Sequence, residues 1–94
     1  SFSAAAASAD WAAARDFHLV MTNAPGEEAW PITATNFILV HRQPRDAASA
    51  RQTREFFRWI YARGDAQARQ LHYVPLPDSL VGQIEAHWEQ NLKY

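Results

Sequence analysis

The chain has 94 residues, enough for one small domain at most, and 48% of them are hydrophobic, including four Trp, three Tyr and five Phe. The chain has no cysteine and no apolar stretch of membrane-spanning length, which excludes a disulfide framework, a thiolate metal site and a transmembrane helix. A net charge of −1 and this high aromatic content are typical of a folded soluble protein and not of a disordered one.

The first predicted element is an alanine-rich helix near residues 3–14, because alanine has the highest helix propensity. Phe2 and Trp11 are its large apolar side chains, so we expect this smooth helix to lie closely against a neighbour. Residues 17–22 are a candidate short strand. Residues 23–28 predict a turn, in which a Pro-Gly pair marks the reversal.

The main predicted strand is 32–41, since isoleucine, threonine, phenylalanine and valine dominate it. Residues 37–40 are apolar without interruption, as in a strand that is covered on both faces. Such a strand needs neighbouring strands and covering helices, yet the chain offers three good helices and at most one other short strand. The sequence therefore predicts an α/β structure with helices packed on a sheet that this segment alone leaves incomplete.

The second half of the chain is predicted to be mainly helical. A helix over 47–63 has Asp46 as its N-cap and Gly64 at its C-terminal cap. Asp65 can cap a short helix that runs towards Leu71. Residues 72–77 are extended because two prolines resist helix, and a last helix spans 78–91. Two apolar stripes are predicted at helical spacing, namely Thr53, Phe56, Phe57, Ile60 and Tyr61 on the first long helix and Val81, Ile84, Trp88 and Leu92 on the last.

The four histidines do not form a metal or catalytic pattern. No two of them have helical or turn spacing, and no carboxylate completes a ligand motif. No serine lies in a nucleophile elbow, and three glycines are too few for a phosphate-cradling loop. We therefore predict no catalytic residue, no metal site, no cofactor and no enzyme activity, and we interpret these side chains as ordinary surface or half-buried histidines: His18, His41, His72 and His87.

Six arginines are concentrated in residues 42–63, where only Asp46 and Glu55 oppose them. A nucleic-acid interface would require a basic chain and a docking motif, and this slightly acidic chain has neither, so we predict no nucleic-acid partner. We interpret three of the arginines as a solvated helix face that is partly neutralised by an ion pair between Arg51 and Glu55, four residues apart. The three are Arg51, Arg54 and Arg58.

Three blocks of the sequence resemble one known family. They are 26–33 running into 37–41, 55–61 followed by Gly64 and Asp65, and 71–81 continuing to 86–88. With the opening alanine-rich stretch and its Ala9-Asp10-Trp11, they closely resemble the periplasmic phosphate-binding protein of bacterial phosphate ABC transporters. The resemblance covers nearly the whole chain, in order, and corresponds to the C-terminal third of that protein.

The resemblance implies a type II periplasmic-binding-protein fold, in which two α/β lobes joined by a hinge hold dehydrated phosphate in the cleft. Residues 1–35 would then complete the second lobe, and 36–94 would form the C-terminal return to the first lobe. The family's phosphate ligands are hydroxyls, backbone N–H groups, an arginine and a carboxylate on segments that the resemblance places upstream of Ser1. No phosphate-binding residue is therefore assigned within this chain, and neither Arg42 nor Arg51 is promoted to that role.

Two functions follow from different premises. The resemblance implies a periplasmic phosphate-binding component of an import system, with inorganic phosphate and the membrane subunits of the ABC transporter as partners. The alternative is a stand-alone interaction or assembly module that does not bind phosphate. In isolation, the unpaired apolar run 37–40 predicts a homodimer, because an open strand edge is a template for another chain.

Overall fold

The computed structural model describes residues 2–11, 13–23 and 25–94. Within these ranges the chain forms four α-helices and one short 3₁₀ turn, and no strand is present. The 3₁₀ turn spans Arg15–Phe17. The helices are α1 (Phe2–Ser8), α2 (Ala47–Arg63), α3 (Asp65–Gln70) and α4 (Asp78–Asn91).

Helix α1 ends at Ser8, so the predicted helix over 3–14 is wrong in its second half; Ala12 lies outside the described residues. Local side chains provide alternative hydrogen bonds that compete with further helix. The Trp11 indole Nε1 donates to the Ala6 carbonyl at 2.8 Å, and Asp10 Oδ1 accepts from the Ala13 N–H at 3.2 Å. The chain therefore leaves the helix after about two turns.

The small core lies where α1 meets the start of α4. Ala5 and Ala6 pack with Trp11, Met21 and Leu80, all less than a tenth exposed. Because alanine has almost no side chain, the backbone of α1 approaches these larger groups closely, as the smooth alanine face predicts. Sequence reasoning did not single out Leu80, since it lies one residue before the predicted seam of α4.

The predicted strand 32–41 is not observed, and neither is the short strand 17–22. The backbone does pass through 33–41 without a helix, turn or bend. A strand exists only through hydrogen bonds to a neighbour, and the described part of the chain provides no such neighbour for residues 36–41. The α/β expectation is therefore not confirmed, because the described residues are helical or irregular.

The predicted turn at 23–28 is confirmed at Asn23 and at residues 25–28, while Ala24 lies outside the described residues. Gly26 has a φ of 125°, a region that only glycine enters without strain. The reversal brings the two arms together, because the Asn23 N–H donates to the Pro31 carbonyl at 2.7 Å. Buried Thr33 reinforces the arrangement by donating from Oγ1 to the Met21 carbonyl at 3.0 Å.

The three helical predictions in the second half are confirmed, and their ends follow from named groups. Asp46 Oδ1 accepts from the N–H groups of Ser49 and Ala48 at 3.2 and 3.1 Å, which caps α2. The hydrogen bonds from Ser49 stabilise the carboxylate and lower the pKa of Asp46. Gly64 ends α2 as predicted but with a φ of −91°, so it does not use the left-handed conformation. The prediction that Asp65 caps α3 is wrong, because Gly64 occupies the cap position and Asp65 lies in the first turn of the helix.

The molecule is open for its size. Its accessible surface is 7140 Å², whereas a compact protein of this mass exposes about 5,500 Å². Its radius of gyration is 14.2 Å, against about 12.4 Å for a compact domain of this length. The predicted stripe on α2 is only half satisfied, since Phe57, Ile60 and Tyr61 are half-buried while Thr53 and Phe56 are exposed.

Candidate functional site

A groove with a volume of about 350 Å³ is lined by residues 35–40, by Arg42 and by side chains of α2 and α4. Its walls are mainly apolar and aromatic, and a few polar groups lie at its ends. Half-buried residues of both long helices line it. The side chains that line its apolar part include Phe37, Val40, Phe57, Tyr61, Leu80, Ile84 and Trp88.

One end of the groove is closed by a polar cluster around Asp16. Its Oδ1 accepts from Arg42 Nη2 at 2.9 Å and lies 3.9 Å from His87 Nε2. The His87 ring also meets Phe17 edge to face, with centroids 5.1 Å apart. Asp16 and Phe17 both have a positive φ, 53° and 58°. The cluster therefore joins three distant parts of the chain, and the Arg42 guanidinium binds the Asp16 carboxylate within it.

The other end of the groove is occupied by the last residues of the chain. Arg54 Nη1 donates to the main-chain oxygen of Tyr94 at 2.6 Å, and its guanidinium lies 5.7 Å from the centre of the Tyr94 ring. The Lys93 N–H donates to the Arg42 carbonyl at 2.9 Å. Arg54 Nε is buried without a hydrogen-bond partner among the described residues. Arg54 thus holds the last residue of the chain, Tyr94, in place and does not lie on a free cationic face.

Arg58 joins α2 to α4. Its guanidinium lies 2.7 Å from Glu55, 3.4 Å from Glu89 and 3.9 Å from Glu85. The predicted pair between Arg51 and Glu55 is wrong, because Glu55 pairs with Arg58 three residues later. The interpretation of the three arginines as one solvated face is wrong as well, since only Arg51 remains exposed while Arg54 and Arg58 are half-buried.

Tyr61 and Trp88 stack across the groove, with ring centroids 6.0 Å apart and planes inclined by 28°. Burial raises the pKa of the Tyr61 hydroxyl, and the negative charge of Glu85 raises it further. The two rings belong to the two predicted apolar stripes, which here contact each other. Stacking and burial give the pair a packing role.

The histidines lie apart from one another. His18 stacks on Phe37 at 5.4 Å, while His41 borders a shallow depression with Gln43 and Arg45. His72 is exposed, with a φ of 63°. Across residues 2–11, 13–23 and 25–94, no three His, Asp or Glu side chains come together in a group that could hold a metal ion. The helices described here are also too short or too polar to cross a membrane.

Sequence reasoning missed both polar ends of the groove. Asp16, Arg42 and His87 lie far apart in the chain, and so do Arg54 and Tyr94, so no local pattern connects them. None of these contacts leaves a set of free, converging donors of the kind that binds a dehydrated anion. The geometry therefore supports a packing role for these side chains.

No family model matches the chain. Among curated proteins, it is 59% identical over 93 residues to the phosphate-binding protein PstS of Xylella fastidiosa strain 9a5c, covering 99% of this chain and 26% of that protein. It is 38% identical over 93 residues to the proteins of the same name from Pasteurella multocida and Haemophilus influenzae, covering 99% of this chain and 27% and 28% of theirs. The chain thus spans about a quarter of the length of the curated relatives it matches.

This relationship supports the periplasmic-binding-protein fold class, although the described residues form no strand. The resemblance read from the sequence is confirmed: along 99% of its length the chain is related to phosphate-binding proteins named PstS, and it corresponds to about one quarter of such a protein.

Proposed function

We propose that this chain is the C-terminal part of a periplasmic phosphate-binding protein that serves an ABC-type phosphate importer. The observation that carries the proposal is the 59% identity over 93 residues to a phosphate-binding protein PstS. In this proposal inorganic phosphate and the membrane subunits of the transporter are partners of the whole protein, which works in the periplasm and is not an enzyme.

The structural part of the proposal concerns the missing sheet. Residues 1–35 complete one α/β lobe and 36–94 return to the other, where 36–41 becomes a sheet strand. The surplus of accessible surface, about 1,600 Å² above that of a compact protein, supports this role because it is the surface that neighbouring strands and helices would cover. Helices α2 and α4 then lie on that sheet with their half-buried faces towards it.

The phosphate ligands lie outside this chain in our proposal. Arg42 is engaged by Asp16, Arg54 by Tyr94 and Arg58 by three glutamates, so these guanidiniums are already used in packing. In our proposal the chain contributes structural parts of both lobes and makes no direct contact with the anion.

A chimera tests this proposal. The 93 matched residues of the Xylella fastidiosa relative are replaced by this chain, and phosphate binding is measured by titration calorimetry for the chimera, the intact relative and the isolated chain. We expect the chimera to bind phosphate with an affinity close to that of the relative and the isolated chain to bind none. A folded chimera that does not bind phosphate, or saturable micromolar binding by the isolated chain, contradicts the proposal.

Two variants of the chimera test whether arginines of this chain bind phosphate. Arg42→Ala removes the contact with Asp16, and Arg51→Ala removes an exposed arginine. Because neither residue is a ligand in this proposal, we expect both to leave phosphate affinity unchanged. A tenfold loss of affinity in either variant, with helical content retained, would instead place a ligand within this chain.

The second candidate function is a stand-alone interaction module that forms a homodimer. The exposed run Phe37-Ile38-Leu39-Val40 favours it, since all four side chains are at least two-fifths exposed. This candidate does not require phosphate, and the chimera experiment leaves it unaffected.

A further inference from the structure

The buried apolar cluster of the described residues joins two parts of the chain that the proposed function assigns to different lobes. The first part is 1–35 and the second part is 36–94. Leu80 of the second part lies in α4 and is only 3% exposed, and Leu76 and Ile84 of the same part pack against the cluster. The other buried members all come from the first part, and they are Ala5, Ala6, Trp11 and Met21. The best-covered apolar surface described here therefore lies across the expected lobe boundary.

The turn at residues 15–18 adds polar and aromatic contacts across the same boundary. Asp16 Oδ1 accepts from Arg42 Nη2 at 2.9 Å. Each of the next two side chains meets a ring of the second part, and the pairs are Phe17 with His87 at 5.1 Å and His18 with Phe37 at 5.4 Å between centroids. Three successive residues of the first part thus contact the second part.

The backbone of this turn is strained. Asp16 and Phe17 have φ values of 53° and 58°, a region in which residues other than glycine lose free energy. Two successive residues remain in such a conformation only where the surrounding contacts maintain it. The contacts with Arg42 and His87 supply that support, so the shape of the turn depends on the second part of the chain.

These contacts lie beside the place where the chain passes from the first part to the second. Thr33 Oγ1 donates to the Met21 carbonyl at 3.0 Å, and Thr35 Oγ1 donates to Met21 Sδ at 2.8 Å. Two residues after Thr35, Phe37 already stacks on His18. When two bodies rotate about a shared connection, the atoms next to the connection move least. Contacts at this place can therefore persist while more distant surfaces separate.

We propose that residues 5–21 and the start of α4 form a permanent contact between the two lobes of the whole protein, which is the same with and without phosphate. The proposal rests on the proposed function, because that function places the two parts in different lobes. A contact of equal free energy in two arrangements cannot shift the equilibrium between them. The contact therefore holds the lobes together at the crossing and leaves phosphate affinity unchanged, in agreement with the expectation for Arg42→Ala.

Hydrogen exchange measured by mass spectrometry tests this contact in the isolated chain and in the chimera with the Xylella fastidiosa relative. Leu80→Ala removes the side chain that the second part contributes to the buried cluster. We expect amide exchange in peptides covering residues 2–21 to become faster by about tenfold or more in both proteins, because a cavity there lowers the free energy of local opening. The ratio of exchange rates between variant and parent should be the same with and without phosphate.

Val81→Ala is the matched control, because Val81 is the next residue of α4, is half-buried and lies outside the cluster. We expect it to leave exchange in residues 2–21 unchanged. Leu80→Val is measured beside Leu80→Ala as a smaller change, so that the comparison remains possible if alanine unfolds the chain. Its effect should be weaker and fall on the same amides.

Two results would overturn the proposal. If the Leu80 variants accelerate exchange in residues 2–21 of the isolated chain but not of the chimera, the contact belongs to the isolated chain alone. If their effect in the chimera disappears when phosphate is added or removed, the contact exists in only one arrangement and is not permanent. A folded chimera that fails to bind phosphate refutes the proposed function separately, because the comparison of Leu80→Ala with Val81→Ala does not require phosphate.

Discussion

Tyr61 and the two half-buried arginines of α2, Arg54 and Arg58, show how single residues of a long helix divide their roles. Arg54 holds the chain end, Arg58 joins α2 to α4, and Tyr61 stacks on Trp88 between them. Charged groups such as Arg58 are exposed enough for solvent to weaken each ion pair, so the network orients the helices more than it stabilises them. In the aromatic contact, the ionisable group is the partly buried Tyr61 hydroxyl, whose pKa is raised.

Alkaline pH should lower stability through Tyr61. Burial and Glu85 raise its pKa above the ordinary value of 10.0, so the unfolded chain loses this proton at a lower pH than the folded one. Its stabilising contribution is therefore complete below about pH 10 and is lost as the pH rises through the folded pKa. Urea unfolding followed by circular dichroism at neutral and alkaline pH measures the loss.

Tyr61→Phe is the control for this prediction, because it keeps the ring and removes the ionisable hydroxyl. We expect the variant to lose less stability than the parent chain between neutral and alkaline pH. Equal losses in both proteins would show that Tyr61 has no part in the alkaline transition.

At the scale of elements, the ends of α2 are determined by one side chain and one missing side chain. Asp46 accepts hydrogen bonds from two free N–H groups at the start of the helix. At its end, the missing side chain of Gly64 leaves room for the Ile60 carbonyl oxygen. A Cβ atom at Gly64 would lie 2.7 Å from the Ile60 carbonyl oxygen, a backbone atom that cannot move away cheaply. A Cβ atom at Gly82, inside α4, would meet no other atom of this kind within 4 Å, so the space there is open.

Alanine at the two glycines should therefore have opposite effects. Gly64→Ala is expected to destabilise the chain by about 1–3 kcal/mol, since overpacking forces the backbone to shift. Gly82→Ala is expected to stabilise it by roughly 0.5–1 kcal/mol, because alanine restricts the unfolded chain and favours helix. Thermal unfolding followed by circular dichroism compares them, and a shift of the same sign in both variants would contradict this account of the α2 end.

At the scale of the whole molecule, the outstanding feature is apolar surface that nothing within the described residues covers. Part of it belongs to residues 37–40, and part belongs to Phe56 and Trp59, which stack on the outer side of α2 with centroids 6.5 Å apart. A chain related to a quarter of a larger protein has a direct reason for such a surface, since the rest of that protein would supply the cover.

This surface should bind a hydrophobic dye. We expect the isolated chain to enhance the fluorescence of anilinonaphthalene sulfonate at neutral pH while its helical circular dichroism persists. The chimera with the Xylella fastidiosa relative should bind much less dye per mole, because its own sheet would cover the same side chains. Equal dye binding by the two proteins would show that the exposed surface is not a covered face of the larger fold.

Local signals in the sequence account for the elements that were predicted well. The bounds of α2 follow from Asp46 and Gly64, the start of α4 follows from the prolines at 75 and 77, and the Pro-Gly pair correctly marks the turn that the structure describes at 25–28. Such signals act within a few residues, through capping bonds, excluded dihedral angles and side-chain periodicity, so they can be read without a fold. The relationship to PstS also lies in the sequence alone, because it rests on blocks of residue identity.

Only the tertiary structure decided the features that depend on distant partners. The segment 32–41 has the composition of a strand, but a ladder requires a second strand, and none lies beside it in the described residues. The same reason explains the arginines of α2, whose partners include residues of α4 and the chain end. The sequence by itself determined where the second-half helices begin and end, whereas pairing, burial and the use of each charge depended on which distant residues the fold brings within a few ångströms.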